Sequence, residues 1–246
     1  MFEEVLDMAY AVIDGNVFDI HHVNSKAKVV VVGISPGSSQ SFNENYDKAK
    51  KDARYNNQQC AFRDPKRKSI QNNLIKMLDS IRINKYLDIE SCSSLWSDEH
   101  FDKVNFISVL PHSVLKTTKE ERIIHDDNDI DRSVEKFISK INYEEIQKSK
   151  LLKDNYDLFT EALQTYNKDT TIFIACGPSV YNILLEHSDI NKKRIIPITH
   201  PSGANSGRVN VYCAKAIKPE KINDTSYQNA LKYREIADEL LSVYIK

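Results

Sequence analysis

Four short apolar runs constrain this chain more than any other feature: Lys28–Ile34 (KVVVVGI), Val104–Leu110 (VNFISVL), Thr170–Cys176 (TTIFIAC) and Arg194–Thr199 (RIIPIT). Runs without polar alternation, rich in β-branched residues, suit parallel strands buried on both faces. Between them, apolar residues recur at helical spacing over 68–82, 131–149, 155–166 and 178–187. A long closing helix is predicted over 226–244, with Ala230, Leu231, Ala237, Leu240, Leu241 and Tyr244 on one side. Phe2, Val5, Leu6, Ala9, Val12 and Ile13 predict an amphipathic opening helix over 2–13. Strands alternating with helices imply βαβ units and a parallel sheet. The expected fold is α/β: a three-layer α/β/α sandwich around a four-stranded parallel sheet. It is read as a single domain over 1–246, with a helical insertion at about 111–168.

Composition narrows the function classes. A chain of 246 residues can bury a sizeable core, and 41% apolar with 28% charged residues is ordinary for a globular protein. The net charge of −1 gives no molecule-wide field, so binding to nucleic acid needs a local basic face. Cys60, Cys92, Cys176 and Cys213 form no CxxC pair, so neither a zinc site nor an iron–sulfur cluster is signalled. They read as reduced thiols of a cytoplasmic protein. His125 stands among Asp126, Asp127, Asp129 and Asp131 without convincing ligand spacing. No apolar stretch approaches the roughly 18 residues of a membrane span, and Met1-Phe-Glu-Glu does not begin a signal peptide. The expectations are no metal, no cofactor, no membrane and no obligate protein partner.

The loop-like stretches 35–60, 111–130 and 200–226 follow the carboxyl ends of predicted strands. Open α/β sheets bind ligands outside those ends. Gly33-Ile34-Ser35-Pro36-Gly37 leaves the first run as a turn able to aim backbone N–H groups outward. It lacks the GxxxxGK[ST] spacing of a phosphate loop. Thr199-His200-Pro201-Ser202-Gly203-Ala204-Asn205 leaves the last run, and Pro201 holds a turn that presents His200. Neither Ser35 nor Ser202 lies in a GxSxG elbow, so a serine hydrolase is disfavoured.

Together, GISPG and HPSGAN resemble the paired motifs of the uracil-DNA glycosylase superfamily, whose first strand ends in G-Q-D-P-Y or G-[IM]-N-P-G and whose last ends in H-P-S-P or N-P-S-G. Cys60-Ala-Phe62-Arg-Asp-Pro65, followed by Ser69-Ile-Gln-Asn-Asn73, is similar to the family's phenylalanine segment and phosphate-gripping helix start. Ile172–Pro178 is similar to its strand–Gly–helix step. The resemblance covers residues 28–205 in order. It implies the family's fold and a cofactor-free DNA glycosylase that hydrolyses the N-glycosidic bond of a flipped-out base in double- or single-stranded DNA, leaving an abasic site.

Such chemistry needs a donor for the departing base anion, negative charge near the sugar cation and a positioned water. The resemblance implies His200 as the donor and Phe62 as the ring stacked on the everted base. Ile34, Gly37, Ser108 and Ser202 would line the base pocket. The family's acid or amide in the first turn corresponds to Ser35, which can orient a water but supplies no charge. Asp64 is therefore nominated as base, with Glu44 and Asp47 behind it. Ser108 stands where relatives read uracil's edge with Asn, and Gly37 where uracil-strict members carry a bulky Tyr. A roomier, differently bonded pocket points to a 5-modified pyrimidine, such as invading viral DNA carries, as readily as to uracil.

Lys48, Lys50, Lys51, Arg54, Arg63, Lys66, Arg67 and Lys68 would grip the DNA backbone. Asn73 would donate to a phosphate. Ala204–Arg208 matches the family's wedge loop, with Asn205 on the DNA and Arg208 filling the gap left by the base. Two other readings remain open: a non-catalytic DNA-binding protein of the same fold, and a nucleotide-binding Rossmann-like protein with GISPG cradling a phosphate.

Overall fold

The computed structural model describes residues 9–13, 24–35, 68–96, 100–125, 127–167 and 169–245. Its strands in chain order are β1 (Ala9–Ile13), β2 (Val29–Gly33), β3 (Val104–Ser108), β4 (Ser113–Thr117), β5 (Arg122–Ile124), β6 (Lys136–Phe137), β7 (Ile172–Cys176) and β8 (Ile195–Ile198). Its helices are α1 (Lys68–Ser80), α2 (Ile83–Tyr86), α3 (Tyr143–Lys148), α4 (Lys150–Gln164), α5 (Pro178–Glu186), α6 (Ser206–Ala214) and α7 (Thr225–Ser242). None is long and apolar enough to cross a membrane, among the described residues.

Strands β3, β2, β7 and β8 lie side by side in that order, all parallel. They are the four apolar runs. Side chains alternate across this sheet. Val30, Val32, Phe173, Ala175 and Ile195 enter one cluster with Leu152, Phe159 and Leu163 of α4 and Val180, Ile183 and Leu184 of α5. Val29, Val31, Phe106, Ile172, Ile174, Ile196 and Ile198 enter the other, with Leu74, Met77 and Leu78 of α1, Val209 and Tyr212 of α6, and Ala237 and Leu241 of α7. Helices therefore cover both faces, which is why the runs show no apolar–polar alternation. Each fully buried Val, Leu, Ile, Phe or Met among them contributes roughly 1.5–3 kcal/mol by leaving water.

The reading of 2–13 as a helix is corrected at its described end: Ala9–Ile13 is a strand. It sits in a second sheet of order β5-β1-β4-β6, antiparallel to β4 and parallel to β5. Tyr10 and Val12 face the α4/α5 cluster, while Ala11 and Ile13 pack on Leu115, Ile124 and Ile130. A strand buried on both sides is apolar at every position, and such a run also satisfies helical spacing. The insertion is likewise only partly helical. Its first half forms β4, β5 and β6, and the predicted helix over 131–149 reduces to α3. Asn142 and Glu145 form a reciprocal capping box that starts α3, and Ser149 caps α4.

In the parallel sheet the chain crosses from β2 outward to β3, then returns to β7 on the other side of β2 and continues to β8. The connections diverge between β2 and β7, which is where such sheets open a crevice at their carboxyl ends.

Candidate active site at the carboxyl ends of the parallel strands

Beyond β2 the ladder runs on. Val109 N–H donates to the Gly33 carbonyl at 3.0 Å and Leu110 N–H to that of Ile34 at 2.9 Å. This fixes where Ile34 and Ser35 leave the sheet. Gly33 is paired with Ser108, which is 5% exposed. Ile34 packs against the α4/α5 cluster. The Ser35 hydroxyl donates to the His112 carbonyl at 3.1 Å and accepts from Val114 N–H at 3.2 Å. It therefore ties the end of β2 to the start of β4, joining the two sheets.

At the other flank, His200 follows β8 by two residues. Gly177, after β7, has φ 93°, and its N–H donates to the Ile198 carbonyl at 2.9 Å. A Cβ at Gly177 would lie 3.6 Å from the His200 Cβ. The β7 end and His200 are thus packed together. Ile34 and His200 leave the same end of the sheet with one strand between them, about 10 Å at ordinary strand spacing.

The Nδ1 of His200 accepts the Ser202 N–H at 3.2 Å. An accepting Nδ1 carries no proton, so the neutral ring bears its hydrogen on Nε2. The residue keeps an exposed face. Loss of solvation among the surrounding atoms nevertheless pushes the imidazole pKa below 6.5, and the Arg208 guanidinium pushes the same way. Both effects favour the neutral ring.

The loop after His200 is held from within and from α1. Asn205 N–H donates to the Ser202 carbonyl at 2.9 Å, and Asn205 Nδ2 donates to Ser202 Oγ at 2.6 Å. Asn73 Nδ2 donates to the Pro201 carbonyl at 3.0 Å and approaches that of Ser202 at 3.4 Å. A Cβ at Gly203 would stand 3.4 Å from Ser69 Oγ. The first turns of α1 and α6 thus flank this loop, and helix starts carry partial positive charge.

Of the residues singled out from sequence, Ile34, Ser35 and Ser108 gather at the β2/β3 ends, and Asn73, His200, Ser202, Asn205 and Arg208 at the β8 end. Gly37, Phe62, Arg63, Asp64, Lys66 and Arg67 lie outside the described residues, as do Glu44 and Asp47. Asn73, expected on a phosphate, is engaged with the His200 loop. Sequence reading passed over His112. Its N–H donates to Asn155 Oδ1 at 3.0 Å, and its Nδ1 lies 3.4 Å from the Ile13 carbonyl. A carbonyl only accepts, so that contact assigns the Nδ1 hydrogen. Pro111-His112 just past a strand run, mirroring His200-Pro201, was the available signal.

A cleft at the opposite end of the sheet, lined by Lys26, Lys28, Tyr86, Asn167, Thr170 and their neighbours, has no acid or histidine among the described residues of its wall. Among the described residues, no three His, Cys, Asp or Glu side chains come together as a metal site. Compared with protein-family models, curated proteins and solved structures, the chain finds no match.

Proposed function

We propose that this chain is a divergent DNA glycosylase of the uracil-DNA glycosylase kind, hydrolysing the N-glycosidic bond of an everted uracil or 5-modified pyrimidine. One observation carries the reading: His200 is a neutral ring with its Nε2 hydrogen available as donor, at the carboxyl edge of a parallel sheet and one strand away from the end of β2. As the base departs, electron density moves onto its oxygen. A neutral imidazole N–H stabilises that oxygen without first losing a proton. Water adds to the sugar carbon and gives up its proton to a carboxylate. The Ser35 hydroxyl is engaged between His112 and Val114, which supports assigning the proton to Asp64. Arg208 on α6 would fill the gap left by the everted base, and the basic residues 48–68 would hold the DNA backbone.

The test is incubation with a panel of duplexes and single strands, each bearing a different modified base, followed by alkaline cleavage at abasic sites. His200→Gln is expected to lower kcat by about 10²–10³, and Asp64→Asn to abolish cleavage, both with DNA binding retained. Binding without cleavage by the unaltered protein, on every substrate, would instead identify a non-catalytic DNA-binding protein. The engaged, uncharged Ser35 makes that the second reading.

A further inference from the structure

We infer that Asn73 is a positioning residue for His200, acting through the single peptide plane between Pro201 and Ser202. The inference rests on the glycosylase reading above. Asn73 Nδ2 donates to the carbonyl of that peptide at 3.0 Å, and the N–H of the same peptide donates to His200 Nδ1 at 3.2 Å. A trans peptide is rigid and planar, with its C=O and N–H pointing in opposite directions. Fixing the carbonyl therefore aims the N–H. A hydrogen bond to the carbonyl also polarises the unit and makes its N–H a stronger donor.

The consequence reaches the chemistry. Which nitrogen of a histidine carries the proton is set by the partner of the other nitrogen. Here a side chain on α1 selects the Nε2–H form of a ring that follows β8. Pro201 limits the freedom of the link by fixing its own φ. The base of the relay is firm, because Leu74, Met77 and Leu78 beside Asn73 are fully buried. Asn73 touches no substrate in this scheme.

The test is histidine ¹⁵N NMR on the full chain, read beside excision kinetics. In the unaltered protein His200 is expected to show an unprotonated Nδ1 and a protonated Nε2 near pH 8. In Asn73→Ala the two nitrogen shifts are expected to converge as the tautomers mix, and kcat to fall roughly ten- to a hundredfold with unchanged DNA affinity. Asn73→Asp keeps the volume but loses the donor, and is expected to behave alike. It carries the test where the alanine variant unfolds. Wild-type tautomer shifts retained in a folded Asn73→Asp protein overturn the inference, as does an Nδ1–H ring in the unaltered protein, a result that needs no variant. An Asn73-dependent tautomer in a protein that cleaves no substrate supports the relay and removes the glycosylase reading alone.

Discussion

Arg234 holds Ser80 by two of its oxygens: the guanidinium donates to the backbone carbonyl at 2.7 Å and to the hydroxyl at 3.0 Å. The same group reaches the carbonyls of Tyr212 at 3.2 Å and Cys213 at 3.4 Å. Ser80 ends α1, and Tyr212 and Cys213 lie in the last turn of α6, so one cation from α7 meets the carboxyl ends of two helices, where a positive charge is favoured. Asp238, one turn further along α7, accepts from Nε at 3.0 Å. Both clamped helices begin beside the loop after His200, and their first two turns carry Asn73 and Arg208. The clamp sets how far each helix extends toward the site.

Arg234→Ala leaves those carbonyls without their partner and takes one of the two cations of Asp238, the Lys215 ammonium remaining on its other oxygen. Arg234 is 6% exposed, so water replaces it poorly. The expected loss is about 2–4 kcal/mol in urea unfolding. Lysine restores little, because a single ammonium cannot span two helix ends as the planar fork does. A loss within ordinary surface variation would show that α1 and α6 are held by their apolar faces alone.

Ser35→Ala tests the join between the sheets. It removes the acceptor of Val114 N–H and the donor to the His112 carbonyl. Both lie where β2 meets β4. The expected cost is about 1–3 kcal/mol, read by thermal or chemical unfolding. A stability equal to the unaltered protein would mean that the two sheets are joined by packing alone.

The parallel sheet was legible because burial on both faces leaves a mark that local sequence carries: Val29–Val32 cannot be anything but interior. β1 was misread for the same reason, since Tyr10, Ala11, Val12 and Ile13 are interior too and periodicity alone does not separate a two-sided strand from a helix face. β5 and β6, of three and two residues, are too short to show any period. They exist because β1 and β4 offer edges to pair with. The Asn142-x-x-Glu145 capping box, passed over in the sequence, marks the true start of α3 within the longer helix predicted there. His200 was legible as a residue but not as a tautomer, because its proton is set by a peptide plane that Asn73 holds from a distant part of the chain. Arg234 gave no sign of its role, which depends on three helices meeting.

Gly207 tests the spacing of α6 from α7. A Cβ there would collide with the Tyr227 Oη and come within 3.2 Å of its Cζ. Gly207→Ala is expected to displace the Tyr227 ring and destabilise by about 1–3 kcal/mol as overpacking does. Tyr227→Phe removes the nearest atom, so the double variant is expected to recover part of the loss. A double-mutant cycle measures that coupling. Simple additivity would show that the ring swings aside without cost.

Gly177→Ala probes the floor beneath His200. The added Cβ makes ordinary contacts of 3.6 and 3.9 Å with the histidine, but the backbone holds φ 93°. The strain is therefore conformational, about 1–3 kcal/mol. Relaxing it rotates the peptide whose N–H bonds the Ile198 carbonyl, two residues before His200. Stability and His200 ¹⁵N shifts are expected to change together. A destabilised protein with unaltered His200 shifts would separate the floor from the ring.

The depressed pKa of His200 has a definite signature in stability against pH. Above 6.5, its ordinary value, the ring is neutral in the folded and unfolded chains and adds no slope. As pH falls below 6.5 the unfolded chain takes the proton first, so stability declines. The decline stops once pH passes the lower folded value and both states are charged. Protonation in the folded protein also places an Nδ1 hydrogen against the Ser202 N–H, two donors face to face, and the loop must open. His200→Gln removes this group from the balance. Urea unfolding at intervals between about pH 5 and pH 8 is expected to show a steeper fall on the acid side for the unaltered protein than for the variant. Parallel curves would mean that the ring titrates as it does in water, and would remove the electrostatic basis for a neutral donor at this site.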